Sequence, residues 1–93
     1  MLAVYPYEKL EDAIERANAT PYGLQAGIFT SDIQRAFWAA RKLDVGGVMI
    51  NDIPMYRADH MPYGGVKESG TGREGPRYAI EEMTELKLVC WKV

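Results

Sequence analysis

A chain of 93 residues with a net charge of −2 and 47% hydrophobic residues reads as one soluble globular unit, neither disordered nor basic enough to hold nucleic acid. The single cysteine, Cys90, cannot close an internal disulfide, and the sequence opens without a signal peptide, so a reducing, cytoplasmic setting is the expectation. No apolar run approaches the roughly 20 residues of a membrane span, and a chain this short buries only about 60 to 65% of its unfolded surface, so a partner surface would be no surprise.

The chain starts with Leu2-Ala3-Val4-Tyr5-Pro6-Tyr7, an apolar run that predicts a strand over about 2–7. Leu10, Ala13, Ile14 and Ala17 then recur at helical spacing while Glu11, Asp12, Glu15 and Arg16 face away. That pattern predicts an amphipathic helix over about 9–18. Asn18-Ala19-Thr20 has the form of a glycosylation sequon, which without secretion is a chance match. Pro21 and Gly23 make a turn, and 24–30 reads as a second strand. Ser31 followed by Gln34 has the form of a capping box, with Ile33, Phe37, Ala40 and Leu43 as the expected buried stripe of a second helix. Gly46-Gly47 ends that register, and Val48-Met49-Ile50-Asn51 is a short, nearly all-apolar strand of the kind covered on both faces.

The order β-α-β-α-β predicts an α/β fold with largely parallel strands joined by right-handed crossovers. An irregular segment, 52–61, leads into a glycine-rich loop with five glycines between Pro62 and Pro76. A third helix opens at Pro76, the first helical position that proline favours, and runs through Met83. The last segment, 86–93, alternates Leu86, Leu88 and Cys90 against Val89, Trp91 and Val93. It reads as a terminal strand with apolar groups on both sides, which needs covering on both.

Within the loop, Gly70-Thr71-Gly72-Arg73-Glu74-Gly75 spells G-x-G-x-x-G, the dinucleotide fingerprint. The fingerprint needs an apolar strand running into its first glycine and an acidic residue about 20 positions later. Here Lys67-Glu68-Ser69 precedes it, and Glu74 would repel a pyrophosphate, so the sequence favours a structural loop. Cys90 has weak cationic company and reads as a buried small hydrophobe rather than a nucleophile. His60 beside Asp59 has no serine, cysteine or second histidine to complete a catalytic set, and it reads as a water-exposed loop residue. Among the acidic residues of the third helix, Glu81 lies four positions after Arg77 and is expected to pair with it. Glu85 is left for Arg73 or for a neighbouring chain. Met55, Tyr56 and Tyr63 put large side chains on or beside an irregular loop, where they either pack locally or line an apolar pocket.

Three blocks, 17–30 (Ala-Asn-Ala-Thr-Pro-Tyr-Gly-Leu-Gln-Ala-Gly-Ile-Phe-Thr), 46–51 (Gly-Gly-Val-Met-Ile-Asn) and 61–75 (Met-Pro-Tyr-Gly-Gly-Val-Lys-Glu-Ser-Gly-Thr-Gly-Arg-Glu-Gly), closely resemble the carboxy-terminal part of NAD(P)-dependent aldehyde dehydrogenases. The resemblance implies that residues 1–93 form a single unit, a piece of the catalytic domain plus an oligomerisation strand at 86–93. It implies an enzyme several times longer, in which a cysteine forms a thiohemiacetal with the aldehyde, hydride passes to NAD or NADP, and a glutamate-activated water releases the acid. The nucleophile, the general base and the cofactor domain would all lie outside this sequence, so the chain by itself is expected to be inactive and to hold no cofactor. Tyr56 and Tyr63, with Met55 beside them, would line the aldehyde pocket. Arg73 and Glu85 would support the cofactor region from near a subunit interface. The terminal strand would join a neighbouring subunit, making a homo-oligomer or an association with the missing remainder. The rival readings are a structural module that assembles with itself, and a small-molecule binding protein using the tyrosine pocket.

Overall fold

The computed structural model describes residues 1–93. Helix α1 spans Leu10–Asn18, strand β1 Tyr22–Gly23, β2 Gln25–Ile28, helix α2 Ile33–Lys42, β3 Gly47–Ile50, β4 Val66–Lys67 and helix α3 Pro76–Met83. Strands β2 and β3 pair in parallel, from Gln25 against Gly47 to Ile28 against Ile50, with α2 as the crossover between them. This is one β-α-β unit, because parallel neighbours need a connection long enough to cross back over the sheet. Strands β1 and β4 form a separate antiparallel pair, Tyr22 against Lys67 and Gly23 against Val66. The sequence pattern predicts turn and loop for these four residues.

Two expected strands are absent. Residues 1–7 and 84–93 carry no regular secondary structure, and every residue in both runs is exposed. The physical reason is that a strand exists only through its ladder partner, and no segment of this chain pairs with either run. They draw the molecule out to 67 × 29 × 21 Å with a radius of gyration of 17.7 Å, against about 12 Å for a compact domain of this length. Cys90, expected to be buried, is exposed within the second run. The β-α-β-α-β order thus reduces to a β-α-β core preceded by a helix.

The core is small. Ile14 of α1, Ala36 and Ala39 of α2 and Met49 of β3 are its buried apolar side chains. Of the stripe expected on α2, Ala40 and Leu43 are half-buried, but Ile33 and Phe37 are 69% and 61% exposed. Both faces of this helix carry apolar residues, and the one with Ala36 and Ala39 is buried. The cap also shifts by one residue. Asp32, not Ser31, accepts hydrogen bonds at Oδ1 from the backbone N–H of Gln34 (2.9 Å) and Arg35 (3.1 Å), satisfying two of the helix's orphan donors. Thr30 Oγ1 in turn accepts from the Asp32 N–H at 3.1 Å.

Candidate functional site

The segment that follows α1 is tied to the glycine-rich loop by a clasp that joins parts of the sequence almost fifty residues apart. The Lys67 ammonium donates to the carbonyls of Asn18 (2.8 Å) and Thr20 (3.3 Å) and lies 3.4 Å from the Asp44 carboxylate, with its side chain only 22% exposed. Asn18 completes the joint from the other side. Its Nδ2 donates to the Lys42 carbonyl at 2.7 Å, and its Oδ1 accepts from the Asp44 N–H at 2.8 Å. One side chain therefore serves a carbonyl and an N–H where α2 ends, a place where helices leave carbonyls without partners. The amide nitrogen that a glycan would need is already engaged.

The same loop grips β1. The Gly23 N–H donates to Ser69 Oγ at 2.9 Å, and the Glu68 N–H to the Pro21 carbonyl at 2.9 Å. Holding this shape puts Lys67 at a φ of 55°, in the left-handed region that costs a residue with a side chain roughly 1–2 kcal/mol; the three contacts of its ammonium offset that strain. Gly46 explains why the glycines cluster here. A Cβ at Gly46 would run into the carbonyl of Gly64, so the two backbones meet at a separation only glycine permits.

The G-x-G-x-x-G run does not fit a nucleotide. Its start is not fed by a buried strand: β4 is two residues long, and Ser69 and Gly70 bend away after it, their N–H groups bonding back to Val66 and Lys67. Its far end is closed by a reciprocal pair of backbone hydrogen bonds between Tyr63 and Glu74. The Glu82 carboxylate sits against Gly72, 3.0 Å from where a Cβ would be, so an anion meets a negative charge there.

Of the expected site residues, Tyr63 is the one built into a cluster. The Arg57 guanidinium lies over its ring, 4.9 Å from the centroid, and pairs through Nη2 with Glu74 Oε2 at 3.1 Å. Tyr56 and Met55 are exposed on the same loop. None of the three lines the two open clefts of about 940 and 1330 Å³, which lie beside α1 and are walled by residues such as Tyr7, Phe29 and Phe37 or Tyr5 and Arg16. Arg73 donates through Nη1 to the carbonyls of Gly65 (2.9 Å) and Gly72 (2.7 Å) and so braces its own loop. Glu85 is exposed and makes no ion pair with it. The expected Arg77–Glu81 pair is present at 2.9 Å. That hydrogen bond, and then the Glu81 charge, raise the affinity of the Arg77 guanidinium for its proton. His60 is exposed, as expected, and no group of histidine, cysteine and acidic residues is placed to hold a metal ion. No helix is long and apolar enough to cross a membrane.

Sequence reasoning missed Lys67, Asn18, Arg57 and Glu74. Nothing in the spacing of Lys67 and Asn18 pairs them. Arg57 carried a faint signal, a charged residue between tyrosines in an irregular segment.

The geometry is that of a known family. Residues 1–89 match the model of the aldehyde dehydrogenase family, and the chain belongs to that family. The 3-sulfolactaldehyde dehydrogenase of Priestia megaterium is 54% identical over 88 residues, covering 95% of this chain and 18% of its own length. A glyceraldehyde-3-phosphate dehydrogenase of Methanocaldococcus jannaschii, solved with NADP, superposes with a TM-score of 0.81 at 51% identity, over 86% of this chain and 18% of that one. An aldehyde dehydrogenase of Bacillus cereus, solved with NAD+, gives 0.83 at 43% identity, over 89% of this chain and 17% of that one. The chain thus spans about a fifth of the length of the relatives it matches.

Proposed function

We propose that this chain serves as the clasp-bearing portion of an NAD(P)-dependent enzyme that oxidises an aldehyde to a carboxylic acid. The observation that carries the reading is the continuous match over residues 1–89, together with the superposition on cofactor-bound dehydrogenases. Within such an enzyme the 51–63 loop, with Tyr56, Tyr63 and Met55, borders the aldehyde pocket. These side chains shape and dry it rather than move protons. Both ends of that loop are tied down: Asn51, just after β3, accepts at Oδ1 from the Thr30 N–H at 2.8 Å, and Tyr63 is bridged to Glu74. Two of the relatives are named for short aldehydes bearing a sulfonate or a phosphate, which supports a short aldehyde as the substrate. Arg73 and Glu85 lie near the contact with the rest of the assembly. In this reading the catalytic thiol comes from elsewhere in the enzyme, since Cys90, the one thiol here, stands on an exposed end segment that no strand or helix positions.

The test is transplantation. Residues 1–89 replace the matching segment of the Priestia megaterium enzyme, and formation of reduced nicotinamide from an aldehyde is followed. Turnover within about ten-fold of the parent supports the reading. A hybrid that assembles like the parent but forms no reduced nicotinamide contradicts it.

A second reading is favoured by the apolar end segments, where Leu86, Leu88 and Trp91 are all more than four-fifths exposed. In it the chain associates with copies of itself, residues 86–93 adding to a neighbour's sheet edge. A mass by light scattering that stays at one chain throughout a dilution series rules this out.

A further inference from the structure

Segment 45–66 leaves the body of the chain and returns to the point it left. At its departure the Asp44 N–H donates to Asn18 Oδ1 at 2.8 Å, and the Gly46 N–H to the Gly23 carbonyl at 3.1 Å. At its return the Lys67 ammonium donates to the carbonyls of Asn18 and Thr20 at 2.8 and 3.3 Å, and the Glu68 N–H to that of Pro21 at 2.9 Å. Gly23 touches both ends: a Cβ there would stand 2.6 Å from the Asp44 carbonyl oxygen and 2.8 Å from Val66 Cγ2. The Lys67–Asp44 ion pair, at 3.4 Å, joins the two ends directly.

The residue type at 67 needs its own explanation. Lys67 stands at a φ of 55°, where glycine would sit without cost, in a stretch that has glycine at 64, 65, 70 and 72. What a lysine brings there, against the strain, is its ammonium. Between Tyr63 and Val66 the chain is Gly64-Gly65, which no side chain stiffens. The Tyr63–Glu74 bridge ties Tyr63 to chain beyond Lys67, not to the helices. Where Tyr63 stands relative to Asn51 therefore depends on how firmly the return is fastened. We infer that Lys67 is a positioning residue for the oxidation: without touching the aldehyde, its ammonium fastens the return of segment 45–66 to its departure and so sets the width of the pocket wall between them. The inference rests on the proposal that the 51–63 loop borders the aldehyde pocket.

The experiment uses the transplanted enzyme and 3-sulfolactaldehyde, the aldehyde for which its parent is named. Lys67→Met is expected to lower kcat/KM about ten-fold with the loss in KM, because a loosened pocket wall weakens the ground state and the transition state alike. Lys67→Arg keeps a cation with several donors and should recover most of that loss. Lys67→Gly separates placement from strength. Glycine relieves the strain at this φ, so the variant should have a higher urea midpoint than Lys67→Met and yet the same raised KM. Asp32→Ala, which weakens α2 away from the clasp, should leave KM within about two-fold. A Lys67→Gly enzyme with unchanged KM overturns the inference, and it decides the matter where Lys67→Met does not assemble. So does an Asp32→Ala enzyme whose KM rises as far, since any loss of stability would then do the same. A transplanted enzyme that oxidises no aldehyde before any substitution brings down the functional reading, and this inference with it.

Discussion

The clasp and the chain ends differ in what they require. Around Asn18, Lys67 and Ser69, polar groups of four separate segments satisfy one another within the chain, and a lysine is held at positive φ to do it. At 1–7 and 84–93 the residues are more apolar, yet every one is exposed. Hydrophobic content alone therefore does not decide which parts of this chain take up regular structure. A polar joint closes because its partners are all present in 93 residues, whereas an apolar strand needs a ladder and a covering surface that these residues do not supply.

That contrast can be broken from either side. The largest effect is expected from Gly46→Ala, which drives a methyl group into the Gly64 carbonyl; it should cost about 3 kcal/mol or more and show as loss of the cooperative urea transition. Lys67→Met removes two donated hydrogen bonds and an ion pair while keeping most of the side chain's bulk. A loss of about 2 kcal/mol is expected, read from the urea midpoint at unchanged slope. Asp32→Ala, outside the clasp, takes away the cap of α2 and should cost about 1 kcal/mol. Glu81→Gln weakens an exposed pair on α3 and should move the urea midpoint only slightly. Smallest of all is Leu88→Asp, expected to leave the dilute chain's stability unchanged within about 0.5 kcal/mol, while lowering any association seen at high concentration.

Much of the fold was legible because local rules settled it. Leu10 to Asn18 and Pro76 to Met83 carry helical periodicity, and Val48-Met49-Ile50 is an apolar run that became the parallel partner of β2. What was not legible had competing solutions of similar quality. Ser31 and Asp32 both suit a cap, and α2 offers apolar residues on two faces, so the choice between Phe37 and Ala36 waits on what the rest of the chain sets against the helix. The apolar run at 2–7 and the alternating one at 86–93 have the composition of strands but not the partner, a condition no single segment contains. At the site, the blocks that resemble aldehyde dehydrogenases pointed to the family and to the 51–63 loop. The Lys67–Asn18 joint and the Arg57–Tyr63–Glu74 stack were invisible, since each depends on residues that only the folded chain brings together.

The most direct test is residue-resolved amide hydrogen exchange on the 93-residue chain across a dilution series. The account predicts slow exchange at Gly46, Gly47, Asn51 and Glu68, whose N–H groups donate to backbone carbonyls, at every concentration. At the lowest concentration, residues 2–7 and 86–93 should exchange as fast as an unfolded peptide. Protection of the end segments in the dilute chain, or clasp amides that exchange as fast as those ends, would contradict it.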